Sequence, residues 1–382
     1  MPRHPGVAPA VALMPDGVFS TVAHRMAALQ GTVYPLHVGD TWMEPAPGGR
    51  LQDLAQAPEG LHRYGPPGGQ PELIAAIADR RGVDPRRVLV TAGATGGLAS
   101  AVGALVQPGD EVLVLAPFWP LIRGIVQTRG GVPVEVPYFA DPPGAAPLPA
   151  SVEARLRPWL SERTVALYLN TPNNPTGRVL PRDELEALVA FARRYDLWIL
   201  ADEVYEDFAW ARPHLPVAEL APERTLSAYS FSKAFGMAGN RVGYLVGPED
   251  PAVRAQVHKV HMHGYYSAPV GLQRSAEVVL RTGQGWVARA SEAYRAAGEA
   301  AAAVLGMPAP EGGTFLWVDV GPQLDSRGMQ GFLEDCLDRN LLVAPGGSCG
   351  RDYASCVRLC FTSAPPAQVA EGVRILAGLL GR

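Results

Sequence analysis

The sequence predicts an α/β protein: a large doubly wound domain built on a mostly parallel seven-stranded sheet, joined to a smaller α+β domain. Three observations predict it. Short runs rich in Val, Leu and Ile alternate with amphipathic or Ala-rich stretches, the pattern of strands buried on both faces between helices. The chain has 382 residues with 47% hydrophobic content, enough to fill more than one core. After about Pro269 the alternation gives way to a long Ala-rich helical stretch.

Taken in order, strands are expected at Arg87–Thr91, Glu111–Ala116, Val132–Pro137, Thr164–Asn170, Leu197–Asp202, Thr225–Ser230 and Val242–Gly247. Helices with apolar spacing near 3.6 residues fit between them at Glu72–Arg80, Gly96–Val106, Leu121–Thr128 and Arg182–Tyr195. The last opens behind a proline with acidic residues in its first turn, a helix-start signal. Beyond Pro269 come a helical stretch at Gly271–Leu305, strands at Thr314–Val320 and Cys356–Phe361, and helices at Met329–Asn340 and Pro366–Leu380. The expected division is a large domain at 45–270 and a small domain from 1–44 and 271–382. The Pro/Gly-rich piece Pro142–Pro149 reads as a surface loop.

Charge and cysteine content narrow the function classes. A formal net charge of −4 and no dense Lys/Arg tract offer no field for nucleic acid. The four cysteines, Cys336, Cys349, Cys356 and Cys360, match no zinc spacing and read as buried free thiols. The apolar run from Val7 to Met14 is broken by prolines and no clear cleavage site follows, so a cytoplasmic protein acting on small molecules is expected.

Open α/β sheets bind ligands beyond the carboxyl ends of their strands, and the expected ends converge on one chemistry. The first leads into Gly93-Ala94-Thr95-Gly96-Gly97 and a helix start, a seat for an anion. The next gives Phe118-Trp119, aromatic cover for a flat ring. Asn170 to Gly177 follows another, with Asn174 in an Asn-Pro-Thr-Gly turn, and Asp202-Glu203-Val204-Tyr205 another. The last leads to Ser230, Ser232 and Lys233, then Arg241. A lysine kept from permanent protonation forms Schiff bases with carbonyls, while hydroxyls and an arginine fork suit a phosphate.

This ordered set, with Tyr64-Gly65-Pro66-Pro67-Gly68-Gly69-Gln70-Pro71-Glu72-Leu73 and Val357-Arg358-Leu359, resembles the class I/II aminotransferase family of fold-type I pyridoxal-5′-phosphate enzymes over nearly the whole chain. The resemblance implies a homodimer that transfers an amino group from an L-amino acid to a 2-oxo acid by ping-pong half reactions. It implies pyridoxal 5′-phosphate held as an aldimine by Lys233, with Asp202 on the pyridinium nitrogen and Tyr205 and Asn174 on the phenolic oxygen. Gly93, Ala94, Thr95, Ser230, Ser232 and Arg241 fall around the phosphate, Tyr64 reaches it from the neighbouring subunit, and Trp119 stacks on the ring. Arg358, Asn174 and the backbone near Gly39 are implied to hold the substrate carboxylate.

Related folds also carry lyases and cyclases, and an aminotransferase-like half occurs in transcription regulators. The first stays open as an alternative; the second is disfavoured, because no helix-turn-helix precedes the domain and no basic face is evident. Trp42 falls near the expected substrate entrance, where it either shapes the side-chain pocket or packs. Lys259, His261, His263 and Arg274 lie in a segment that can supply a second cation for a distal carboxylate, without the sequence orienting them.

Overall fold

In a computed structural model that describes residues 6–56 and 59–382, one sheet holds β1 (Val88–Thr91), β2 (Glu111–Ala116), β3 (Val132–Pro137), β4 (Thr164–Asn170), β5 (Trp198–Asp202), β6 (Thr225–Ser230) and β7 (Gly243–Val246). Their spatial order is β1-β7-β6-β5-β4-β2-β3. β2 to β6 pair in parallel, and β7 is antiparallel to both neighbours, β6 and β1. The carboxyl ends of β1, β2, β4, β5 and β6 therefore share one edge with the amino end of β7.

Alternation of side chains across the sheet divides the apolar runs between two layers. Val112 and Val114 of β2 join Tyr168 and Leu200 against Leu98, Ala101 and Val102 of helix α2 (Gly93–Leu105). Leu113 and Leu115 point the other way, with Leu167, Leu169 and Ile199, onto Leu185, Leu188 and Phe191 of α4 (Arg182–Arg194). Those α4 positions follow the helical period, and Asp183 and Glu184 at its start with Arg193 and Arg194 at its end complement the dipole. α1 (Pro71–Arg81) covers the β1 and β7 flank through Leu73, Ala76 and Ile77, and α3 (Leu121–Gln127) links β2 to β3.

The longer helices beyond the large sheet are α5 (Pro251–Gly264), α6 (Val270–Thr282), α7 (Gln284–Val304) and α8 (Gly328–Leu337), then α9 (Pro366–Leu379) beside a three-stranded antiparallel sheet. That sheet comprises β8 (Phe315–Asp319), β9 (Ala344–Pro345) and β10 (Cys356–Cys360) in the order β9-β10-β8. Its core holds Leu316, Val318, Val357, Leu359, Phe332 and Val373, and also Val22 and Leu36 from the start of the chain. Tyr34–Pro35 adds a parallel pairing with Leu341–Leu342. All four cysteines are buried and free, as expected.

Three expectations are corrected. The helix expected over Gly271–Leu305 is two helices, α6 and α7, parted at Gly283, where a Cβ would stand 2.5 Å from Val279 O. Ala-rich composition carries the helical propensity across that point but does not reveal the break. α5 was absent from the expected elements; Asp250 caps it by accepting from Ala252 N at 2.8 Å and Pro251 opens it, yet only Val257 and His261 are buried, too few for a visible period. The helix after β1 also starts at Gly93 rather than Gly96, directly at the strand end.

Gly243, the first residue of β7, is where three backbone segments meet: a Cβ there would lie 2.6 Å from both Gly93 C and Tyr229 O and 2.7 Å from Ala94 N. Gly243→Ala should therefore lower the unfolding free energy by about 1–3 kcal/mol in denaturant melts. Gly239→Ala, whose Cβ would meet nothing within 4 Å, should stay within about 0.5 kcal/mol of wild type. Equal effects at the two positions would remove the close-approach argument.

Candidate active site

A cavity of about 200 Å³ opens at the shared strand edge. β1 and α2 contribute Ala94, Thr95 and Leu98; the turn after β2 contributes Trp119; the turn after β4 contributes Asn174. Asp202, Val204 and Tyr205 come from the end of β5, Ser230, Ser232 and Lys233 from the end of β6, and Arg241 from just before β7. Gly39 and Arg358 close it from the side of the smaller sheet. Most of the residues singled out in the sequence are thus brought together.

Asp202 is buried, and its two oxygens differ. Oδ2 accepts from Tyr168 O–H at 2.9 Å, while Oδ1 is buried without a partner. Burial pushes the carboxyl up to about 6, against the opposing pull of the Tyr168 hydrogen bond, the nearby Val204 backbone N–H and the Lys233 charge. The strand end itself is tied down: Asn170, opposite Asp202 in the parallel register, donates from Nδ2 to Asp202 O at 2.7 Å and accepts from Asn174 N at 2.6 Å. One asparagine thereby locks the β4 turn to the end of β5.

Lys233 donates from Nζ to Gly39 O, and burial lowers its pKa from the ordinary lysine value. Ser232 N and Ser232 Oγ both lie within hydrogen-bond reach of Ser230 Oγ, at 3.0 and 2.8 Å. Arg241 adopts a left-handed backbone, φ 54°, and donates from Nη1 to Ala238 O at 2.9 Å. Its guanidinium lies over Gly93, where a Cβ would stand 2.5 Å from Nη2, so glycine at φ 67° is required for the arginine to reach the start of α2. The hydroxyls, the guanidinium and the first N–H groups of α2 together form an anion seat.

Arg358 is buried over the Phe315 ring, with its Cζ 4.4 Å from the centroid. Nη1 donates to Asn174 Oδ1 at 3.0 Å and Nη2 to His37 O at 2.8 Å, leaving Nε without a partner. Burial, then the Arg358 charge, lowers the His37 imidazole to about 4, so it stays neutral beside the guanidinium. The side chains lining the cavity include three cationic ones, Lys233, Arg241 and Arg358, against the single carboxylate of Asp202. Such a cavity selects ligands with more than one negative group.

Some expected site residues lie elsewhere. Gly93 shapes the anion seat from beneath without lining the cavity. Trp42 is edge-on against Tyr294, with ring centroids 4.6 Å apart, and is not among the lining residues. Tyr64 is 89% exposed and rests against Tyr266, 5.1 Å between centroids. None of the proposed distal cations lines the cavity: Arg274 pairs with Glu277, Lys259 with Gln256, and His261 is fully buried with both ring nitrogens unpartnered. Tyr168, His37 and Phe315 were missed. Only Tyr168 left a trace, as the one aromatic residue in its strand.

The chain matches the aminotransferase class I and II family over residues 35–376. It is 32% identical over 341 residues, 85% of each chain, to the aspartate/prephenate aminotransferase of Thermus thermophilus. It is 40% identical over 197 residues to a probable aspartate/prephenate aminotransferase of Thermus aquaticus, a match spanning half of each chain. Among solved structures, the N-succinyldiaminopimelate aminotransferase from Mycobacterium tuberculosis superposes with a TM-score of 0.87 at 29% identity, covering 98% of this chain and 100% of that one. These relatives are named as aminotransferases, and they give no support to the lyase or cyclase alternative.

Behind the cleft, the turn after β5 rests on a largely buried ion pair. Arg81 of α1 pairs with Glu206, donates to Tyr244 O–H at 2.9 Å from Nε, and stacks 3.7 Å over the Tyr229 ring. Burial alone would raise the Glu206 carboxyl, but Arg81 and Arg80 hold it below the ordinary range. Glu206 directly follows Tyr205, so the pair pins the segment that carries the phenol. Arg81→Met should leave the Glu206 carboxylate with only Arg80, 3.5 Å away, and cost up to about 3–5 kcal/mol of stability, part of which Arg81→Met with Glu206→Gln should restore. A single-variant loss under about 1 kcal/mol in denaturant melts would show that the pair does not brace the turn.

Proposed function

The chain belongs to the aminotransferase class I and II family, and we propose that it moves an amino group from an L-amino acid to a 2-oxo acid in two half reactions at this cleft, with pyridoxal 5′-phosphate as cofactor. The observation that carries the reading is the convergence of Lys233, Asp202 and Arg358 on one cavity with excess positive charge. The chemistry of the donors fits the cofactor. Asp202 Oδ1 is an acceptor with no partner for a ring N–H, the seat at Ser230, Ser232, Arg241 and the start of α2 suits a phosphate dianion, and Trp119 supplies a plate for the ring face.

Bound there, pyridoxal 5′-phosphate supplies a carbonyl that condenses with amines and a ring that withdraws electrons from the adjoining carbon. The residues of the chain do the rest. Lys233, with its proton affinity lowered by burial, is placed to take the substrate α-proton and return it at the next step. Asp202 holds a negative charge at the ring nitrogen, and Tyr205 and Asn174 stand ready to donate to the phenolic oxygen. Arg358 turns its guanidinium, anchored by Asn174 and His37 O, to the substrate carboxylate. Gly39 lends its carbonyl to Lys233 Nζ.

The homodimer belongs to the same proposal: Tyr64, exposed on this chain beside exposed Tyr265 and Tyr266, reaches the phosphate seat of a second copy. For the division into 45–270 and 1–44 with 271–382, the burial of Val22 and Leu36 in the smaller core supports the place of the start of the chain, while Ala276, Val279 and Leu280 of α6 pack with Leu73 and Ile77 in the core of the large domain. No described helix is long and apolar enough to cross a membrane, and composition supports a cytoplasmic site of action. Trp42, packed on Tyr294 and against the large core rather than lining the cavity, takes the packing role of the two readings.

Purified protein should absorb in the visible through bound cofactor and lose that band when an amino donor is added. Lys233→Ala should lower transamination by at least about 10²–10⁴; turnover at the wild-type rate would sink the mechanism. Arg358→Lys, which keeps the charge and loses the fork, should raise KM for amino acids about 10-fold or more while leaving cofactor absorbance in place. An unchanged KM would move the carboxylate seat away from Arg358.

A further inference from the structure

We infer that Tyr168 is the positioning residue for Asp202: its O–H, donated to Oδ2, holds the carboxylate ionised and leaves Oδ1 as the oxygen offered to the cofactor ring nitrogen. The inference rests on the cofactor reading above and deepens it. Tyr168 sits in the middle of β4 with no exposure, in a layer shared with Val114, Leu200 and Leu226. A phenolic hydroxyl there is costly unless it is hydrogen-bonded. It has one partner, Asp202 Oδ2, at 2.9 Å. The parallel register sets Tyr168 opposite Leu200 and Asn170 opposite Asp202, so Tyr168 and Asn170, two residues apart, project on the same side of the sheet. From that side the phenol reaches the carboxylate while Asn170 ties the same strand end through its backbone carbonyl.

The asymmetry of the carboxylate is the second observation. With Oδ2 occupied inside the protein and Oδ1 buried but unpartnered, only one orientation of Asp202 presents an acceptor to the cleft. The phenol itself does not ionise at working pH, because burial, reinforced by the carboxylate, pushes it well above its ordinary value. It remains a donor. The charged and titratable groups facing Asp202 are Glu203, which disfavours its ionised form, Lys233, which favours it, and the Tyr205 phenol near Tyr168. Burial outweighs them and the Val204 backbone N–H, which also favours the charged form, so the Tyr168 donor on Oδ2, the larger of the two, opposes a large desolvation penalty.

The sign follows directly. A protonated Asp202 offers no charge to a ring N–H, so cofactor affinity falls as the pH drops through the Asp202 midpoint near 6. Removing the phenolic O–H raises that midpoint, by about one pH unit for a tenfold loss of preference for the charged form.

The test is the dissociation constant of pyridoxal 5′-phosphate from the full-length apoprotein, followed by absorbance and fluorescence between pH 5 and 9, for wild type and Tyr168→Phe. The ratio of the two constants should climb toward about tenfold on the acid side and return toward one above about pH 8. Circular dichroism and the thermal midpoint check that the Phe variant folds, and Tyr168→His, which restores a ring donor, should recover part of the acid-side affinity if it folds. A ratio of one at every pH would overturn the inference, and so would a loss of equal size at every pH, which is the mark of a packing role alone. Failure of wild-type apoprotein to bind pyridoxal 5′-phosphate at any pH would instead sink the cofactor reading, a separate outcome.

Discussion

The half-satisfied carboxylate of Asp202 is the constraint around which the rest of the site is arranged. A buried carboxylate with an unpartnered oxygen is expensive in a protein interior, and such groups persist where a ligand completes them. Here one oxygen is held by Tyr168 and the other opens on a cavity rich in positive side chains. The pairing of Asn170 with Asp202 in the β4–β5 register then determines where the Asn174 turn can lie, and Asn174 in turn orients Arg358. Carboxylate, turn and guanidinium are linked through three hydrogen bonds and one strand register.

Sheet topology explains how a cation comes to the opposite end of the cavity. In a wholly parallel sheet the residue before a strand lies on the edge away from the ligands. β7 is reversed, so Arg241, which precedes it, reaches the ligand edge beside β1 and β6. That reversal requires Gly243 at the crossing point and Gly93 beneath the guanidinium, the first because a Cβ would collide with the Gly93, Ala94 and Tyr229 backbone, the second because it would meet the Arg241 side chain. The anion seat thus follows from strand direction and two glycines as much as from the basic side chain itself.

The large sheet was readable because its strands are buried on both faces: Glu111–Ala116 and Thr164–Asn170 are apolar runs whose ends coincide with the observed elements. The Lys233 segment, Asp202, Asn174 and Arg358 were readable because each falls in a short motif at or beside a strand. What escaped notice depends on contacts distant in sequence. Tyr168 gains its meaning from a residue 34 positions away, and Arg81 from Glu206, 125 positions away. His37 contributes a carbonyl, which any residue carries. α5 was hidden by its sparse burial, and the Gly283 break by the uniform alanine content around it. The reversal of β7 leaves no mark on composition, since a doubly covered antiparallel strand is as apolar as a parallel one.

The central claim is that the free oxygen of Asp202 pairs with a protonated ring nitrogen. The most direct measurement is nitrogen NMR of the protein reconstituted with pyridoxal 5′-phosphate carrying ¹⁵N in the ring, at neutral pH, for wild type and Asp202→Asn. The account predicts a pyridinium shift in wild type and a neutral pyridine shift in the variant. A neutral pyridine in wild type, or a pyridinium in both, would contradict it.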